Sequence, residues 1–170
     1  MEMNFCRRCG TKLTDKSDGA YVCENGHQLF AAAAPTVGIF FVTEDNQVLF
    51  AVRGIEPHKG MLDTPGGFVD VGESAEEALA RELVEELGLS EDQYEPLQFV
   101  CTAVSDYSYD GEERAVLSTL FWSRLRPGAN PVARDDVADT KFIPLAEINL
   151  DDVGNKDIKF GVQKLRELFL

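Results

Sequence analysis

Three glutamates, Glu82, Glu85 and Glu86, stand at i, i+3 and i+4 in one short stretch. On a helix turning about 100° per residue these positions share a face. Carboxylates held so close repel one another unless a cation sits among them. Hard oxygen donors of this kind suit Mg²⁺ or Mn²⁺, with phosphate oxygens completing the shell. Arg81 can orient or neutralise one of them, and Glu73 can approach the same end from the preceding loop. The plainer reading is a solvated acidic face on an ordinary amphipathic helix. A second donor set lies near the N-terminus, with Cys6-x2-Cys9 followed by Cys23-x3-His27. Two close pairs of soft or borderline ligands suit a closed tetrahedral Zn²⁺ site, structural rather than catalytic. Gly10 and Gly26 supply the tight ligand loops. The alternative there is a ribbon that has lost its metal.

The acids need a rigid helix, and the sequence supplies its punctuation. Ser74 opens a capping box with Glu77. AEEALARELVEEL follows, rich in strong helix formers, and Gly88 is placed as the stop. Ala80, Leu83, Val84 and Leu87 are expected on the face opposite the acids, packed on the core. Upstream, Pro65, Gly66 and Gly67 allow a tight turn and close backbone approach to a ligand.

From Gly67 to Leu89 the chain reads G-x5-E-x7-R-E-(apolar)-x-E-E-x-G-(apolar), with all nine specified positions filled in 23 residues. This resembles the Nudix box, the signature of Mg²⁺-dependent hydrolases that cut a nucleoside diphosphate linked to another group. The resemblance implies that Glu82, Glu85 and Glu86 hold the metal, joined by the Gly66 carbonyl. It implies that Arg81 and these acids form the catalytic group, with Glu82, oriented by Arg81, a candidate to take the water's proton. The family usually needs one more acid outside the box. Asp106, Asp110, Glu112 and Glu113 in SDYSYDGEER qualify, as do Asp135, Asp136 and Asp139 in ARDDVADT. Asp135 or Asp136 is favoured, because the loop before the final short strand carries such an acid in ADP-ribose-cleaving relatives. The Cys/His pairs resemble the zinc ribbon that precedes the Nudix domain in NADH pyrophosphatase and related members, with His27 where a fourth cysteine is usual. NADH pyrophosphatases also carry a motif close to SQPWPFPxS downstream of the box. It is not found between Glu91 and Arg126, which argues against NADH as the dedicated substrate.

Around these motifs the chain divides simply. Residues 1–30 form the expected zinc ribbon, with little core of its own, and 35–170 the expected Nudix hydrolase domain. PTVGIFFVT and QVLFAVRG read as strands joined by a short turn. YEPLQFVCTAVSDYSY reads as a strand ending in a loop, and ERAVLSTLFWSRLR as the longest strand. DTKFIPL is a short strand, PLAEI begins a short helix at Pro144, and KDIKFGVQKLRELFL is a terminal amphipathic helix. The fold class is α+β: an α/β/α sandwich about a mixed sheet, with the ribbon appended. Arg53, at a strand end before the box, can fork a substrate phosphate or be a surface arginine. Phe68, Tyr107 and Tyr109 can stack a base or simply pack. Cys101 is expected as a buried strand thiol.

A chain of 170 residues suffices for one core and a small appendage. The net charge of −14 disfavours a nucleic-acid duplex as partner but not a small phosphate substrate that arrives with Mg²⁺. The start has no apolar stretch and no run reaches membrane-spanning length, so a cytoplasmic protein without a membrane partner is expected. A homodimer is compatible with the sequence. The favoured function is Mg²⁺-dependent hydrolysis of ADP-ribose, a nucleotide sugar or a modified nucleotide. The rival is a non-catalytic nucleotide-sensing module, disfavoured because every box acid is kept.

Overall fold

In the computed structural model, residues 3–17, 19–109 and 111–170 are described, the side chains of Ser17 and Tyr109 excepted. The apolar run Ala34–Val42 becomes strand β4 at the centre of a six-stranded sheet. Its partner on one side is β8 (Glu112–Ser123), parallel to it from Ala34 opposite Val116 to Phe41 opposite Ser123. On the other side its last residues pair antiparallel with β5 (Gln47–Arg53). β5 also pairs antiparallel with β9 (Val137–Pro144), and near its end with β6 (Leu62–Asp63). β7 (Gln98–Tyr109) closes the far edge on β8. The first half of β4 turns from β5 to the segment after β6: Val37 N–H donates to Gly67 O at 2.9 Å, and Ile39 N–H to Pro65 O at 3.0 Å. The loop that opens the box is thereby fixed to the central strand.

β4 is apolar on both faces because a helix covers each. Val37, Ile39 and Phe41 pack toward α1 (Ala75–Leu87), while Phe40 and Val42 pack toward α2 (Lys156–Phe169). α2 buries Ile158, Val162 and Leu165, with Phe169 half-buried against Trp122. The expected sandwich about a mixed sheet is thus observed. The N-terminal residues form a separate three-stranded sheet: β1 (Leu13–Ser17), β2 (Ala20–Cys23) and β3 (Gln28–Phe30). It does have a small core, in which Leu13 and Leu29 join Cys6 and Cys23.

Several local expectations are corrected. SDYSYDGEER is not a loop: β7 runs to Tyr109 and β8 resumes at Glu112, because the alternation of Ser and Tyr continues the strand period into a hairpin. Asp110 and the Tyr109 side chain lie outside the described residues. PLAEI forms one 3-10 turn, Leu145–Glu147, rather than a helix. Cys101 is half-buried rather than buried. On α1, Val84 is 50 % exposed, and Ala78 and Leu79, both fully buried, take its place beside Leu83 and Leu87. Glu86 is buried with them at 7 % exposure. Three residues on a helix turn about 300°, so Glu86 lies only about 60° from Leu83 and cannot be on the opposite face. Among the described residues no helix is long and apolar enough to cross a membrane.

Candidate active site

α1 begins as the sequence requires. Ser74 Oγ accepts from Glu77 N–H at 3.2 Å, and Glu77 accepts from Ser74 N–H at 2.8 Å. It ends at Gly88 in the left-handed conformation, φ 66°, where Gly88 N–H donates to Val84 O. The last carbonyls of α1 are taken by the loop before β9. Val132 N–H bonds Leu87 O at 2.9 Å and Arg134 N–H bonds Glu86 O at 2.8 Å. Gly54, just past β5, donates its N–H to Asp136 O at 2.6 Å. This stitching brings Asp135 and Asp136 to the pocket that Glu82 and Glu86 line. The cavity holds about 280 Å³, near the lower end of the roughly 300–1,000 Å³ usual for small-molecule sites.

Within it, loop backbone and helix carboxylates are in direct contact. Gly66 N–H donates to Glu86 Oε2 at 2.8 Å. A Cβ on Gly67 would stand 2.4 Å from Glu82 Oε1, so only glycine permits the approach. Gly66 has φ 139° and its added Cβ would strike the Val37 carbonyl at 2.2 Å. The pairing with β4 uses the carbonyls of Pro65 and Gly67. The Gly66 carbonyl takes no part in it, as a metal ligand there requires.

Arg81 ties loop and helix together. Its Nε and Nη2 bond both oxygens of Glu73 at 2.9 and 3.0 Å, and Nη2 also donates to Phe68 O. Its Nη1 donates to Glu82 at 2.7 Å and Glu85 at 3.3 Å. These bonds draw the Glu73 carboxyl down to about 2 and raise the guanidinium of Arg81. Burial pushes Glu86 up to about 9, the charges of Asp136 and Glu82 push the same way, and the Gly66 N–H only partly opposes them. Glu82 is also raised, by burial, against the pull of Arg81. A buried carboxylate, Glu86, and a half-buried one, Glu82, repel each other beside a third acid and an uncommitted carbonyl, a donor set that fits a hard divalent cation. Glu85 is the exception. Its side chain is 50 % exposed, it rests on Arg81, and it does not line the pocket.

Of the acids outside the box, the structure brings Asp135 and Asp136 to the pocket. Asp106 is exposed and pairs with Lys156 at 3.2 Å. Glu112, Glu113 and Asp139 are exposed. Arg53 lines the pocket, but its guanidinium is already held: Nε by Pro57 O at 2.7 Å and Nη1 by Asp63 at 3.1 Å, with the Tyr107 hydroxyl 3.5 Å from Nη2. It is therefore neither a surface arginine nor a free fork. Phe68 and Tyr107 meet edge to face at 5.6 Å and line the same pocket. Sequence reasoning missed Asp63, Asn155, Asp157, Ser118 and Thr36, all pocket-lining. The one available signal was an aspartate, Asp63, two positions before Pro65 of the PGG turn.

Two consequences concern Asp63. Arg53→Ala is expected to raise KM and also to lower the melting temperature, because breaking a buried pair costs roughly 3–5 kcal/mol. An unchanged melting curve would show the pair to be dispensable. Burial raises the Asp63 carboxyl to about 6 despite Arg53. A raised carboxyl binds its proton more tightly in the folded chain, so its stabilising effect is present below the unfolded value and is lost as pH rises to about 6. Melting temperature should fall across pH 4–6, with the raised Glu86 and Glu82 acting in the same direction, and Asp63→Asn should reduce that slope. A slope unaltered by the substitution would assign it to other groups.

In the ribbon, one donor atom from each of Cys6, Cys9, Cys23 and His27 lies within 4.8 Å of the others. Cys9 Sγ and Cys23 Sγ are 3.7 Å apart, and Cys6 Sγ is 3.5 Å from His27 Nδ1. Tetrahedral zinc with Zn–S near 2.3 Å separates two sulfurs by about 3.8 Å, whereas a disulfide needs about 2 Å. Hydrogen bonds, chiefly from Thr11 and then Asn25, bring the Cys9 thiol down to about 5, toward the thiolate a metal requires. The donor set fits zinc.

A mixed sheet between two helices, with acids of α1 meeting a glycine loop, defines an α/β/α sandwich with an acidic pocket. The family model for the NUDIX domain matches residues 32–162, and the chain belongs to the Nudix family. It is similar to the NAD-capped RNA hydrolase NudC of Haemophilus influenzae (strain PittGG), 37 % identical over 90 residues, covering 51 % of this chain and 34 % of that one. It is also similar to the ADP-ribose pyrophosphatase of Methanocaldococcus jannaschii, 46 % identical over 56 residues, covering 32 % of this chain and 33 % of that one. The chain spans about a third of the length of these curated relatives. Its fold is shared by a NUDIX hydrolase crystal structure from Nitrosomonas europaea, with TM-score 0.70 at 21 % identity over 98 % of this chain and 92 % of the other.

Proposed function

We propose that this chain hydrolyses the diphosphate linkage of a nucleoside diphosphate derivative, of the ADP-ribose or NAD-related class, with Mg²⁺ or Mn²⁺ as cofactor. The observation that carries the reading is the convergence of Glu82, Glu86 and Asp136 with the Gly66–Gly67 backbone in one pocket. Glu82, Glu86 and the Gly66 carbonyl would hold the cation, joined by Glu85 from the neighbouring position on α1. Such a cation polarises a phosphorus–oxygen bond and lowers the pKa of water. The chain's own residues do the rest. Arg81 fixes the Glu82 carboxylate through Oε1 and leaves Oε2 to accept the proton of the attacking water. Asp135 or Asp136 is the further acid. Arg53, held by Asp63, places positive charge in the pocket wall. Cys6, Cys9, Cys23 and His27 would hold a structural zinc outside the chemistry. The names of the similar proteins support adenosine diphosphate derivatives as the substrate class.

The test is turnover with Mg²⁺ of ADP-ribose, NADH, nucleotide sugars and NAD-capped RNA. Cleavage of ADP-ribose or NADH with release of AMP is expected. Tight binding of one compound with no turnover of any would establish a sensor instead.

A further inference from the structure

Beyond the acids and the loop, the pocket ends in a chain of buried polar groups that the hydrolytic reading does not use. Asp157, near the start of α2, is 6 % exposed and lines the pocket with Ser118 and Thr36. The Ser118 hydroxyl donates to Asp157 Oδ2. Ser118 Oγ is also 2.6 Å from Thr36 Oγ1. A hydroxyl has one proton to give. With that of Ser118 spent on Asp157, Thr36 must donate to Ser118. Both protons are therefore directed toward the carboxylate, which is fixed as an acceptor.

Its other oxygen, Oδ1, is buried without a partner, the one such side-chain atom among the described residues. Neighbouring donors are committed elsewhere: Arg53 and Asn155 to Asp63, and Lys156 to Asp106. A buried acceptor left unpaired is costly and calls for an explanation. A ligand N–H or O–H supplies the missing donor, whereas a phosphate at this wall would meet only another acceptor. The surroundings narrow the choice. Phe68 and Tyr107 offer ring surface in the same pocket, and Val116, Leu120 and Ile158 add apolar wall. A flat heteroaromatic ring with an N–H on its edge matches both features.

We propose that Asp157 is a specificity-determining residue that accepts a hydrogen bond from an amino or ring N–H group of the substrate's base. This rests on the nucleotide-substrate reading above, with the diphosphate toward Glu82 and Glu86 and the base toward α2.

Equilibrium binding tests it without turnover. The ligands are AMP and GMP, which carry such donors, and purine riboside 5′-monophosphate, which lacks them. The wild-type chain should bind AMP or GMP about tenfold more tightly than purine riboside monophosphate, the scale of one hydrogen bond to a charged group. Asp157→Asn should bring the affinities within about twofold, by losing the charged acceptor. Ser118→Ala, which removes only the group orienting Asp157, should narrow the gap partially. Melting curves accompany each variant, and only folded protein is compared. Equal binding of all three by wild type, no binding of any, or a full gap retained in Asp157→Asn overturns the proposal. A gap abolished by Asp157→Asn in a protein that cleaves no diphosphate would keep this assignment and remove the hydrolase. Cleavage without a gap would do the reverse.

Discussion

Glu86→Gln should lower turnover by about a hundredfold or more, as when a metal ligand is lost, while leaving the protein equally or more stable. The two effects separate because glutamine keeps the size of the side chain and an oxygen that can still accept from Gly66 N–H. What it removes is a charge that burial and the nearby Asp136 and Glu82 already oppose, with the carboxyl pushed up to about 9. Glu82→Gln should behave similarly in turnover but gain less stability, since Arg81 already balances that charge. Glu85→Gln should have the smallest effect of the three, because its side chain is 50 % exposed and does not line the pocket. Glu76→Gln, exposed in the first turn of α1, is the control and should match wild type. The measurement is kcat across a Mg²⁺ series beside melting curves for all four variants. Near wild-type turnover of Glu86→Gln at low Mg²⁺ would refute the metal assignment. Activity lost only through unfolding would make the buried acid structural.

The second large effect concerns the ribbon. Protein purified without added metal should contain close to one zinc per chain by elemental analysis. Cys9→Ser should abolish that zinc and unfold the ribbon sheet. Structural zinc contributes on the order of 10 kcal/mol or more to small domains of this kind. The ribbon's own core, four buried residues of which two are the cysteines themselves, is too small to compensate. The main sheet has a hydrophobic cluster on each face and shares neither with the ribbon. Turnover per folded hydrolase domain should therefore stay near wild type, with early proteolysis confined to the first 30 residues. Metal-free wild-type protein that resists proteolysis equally would show that the four ligands do not hold a structural ion.

Local chemistry was legible in the sequence because its causes are local. The capping box at Ser74 and Glu77, the stop at Gly88 and the helix between them depend on neighbours three or four positions away. The same holds for the Cys/His pairs, whose spacing alone brings two donors to one loop. The apolar run of β4 announced a strand, and the structure buries it on both faces. Which arc of α1 would be buried was decided elsewhere. The sheet presses on Leu79, Leu83 and Leu87, and this rotation carries Glu86 inward and leaves Val84 in solvent. Periodicity places residues relative to one another but does not say where the partner surface lies. Arg53 looked free because Pro57, Asp63 and Tyr107 reach it from three separate segments. Only the packing of α2 against β8 joins Asp157 to Ser118, across 39 residues of chain, and leaves its second oxygen buried without a partner. The sequence by itself determined the helix of the box, its acids and the two Cys/His pairs that cluster in the ribbon. The tertiary structure decided which carboxylates are desolvated, because desolvation depends on atoms brought from distant parts of the chain and no local pattern records them.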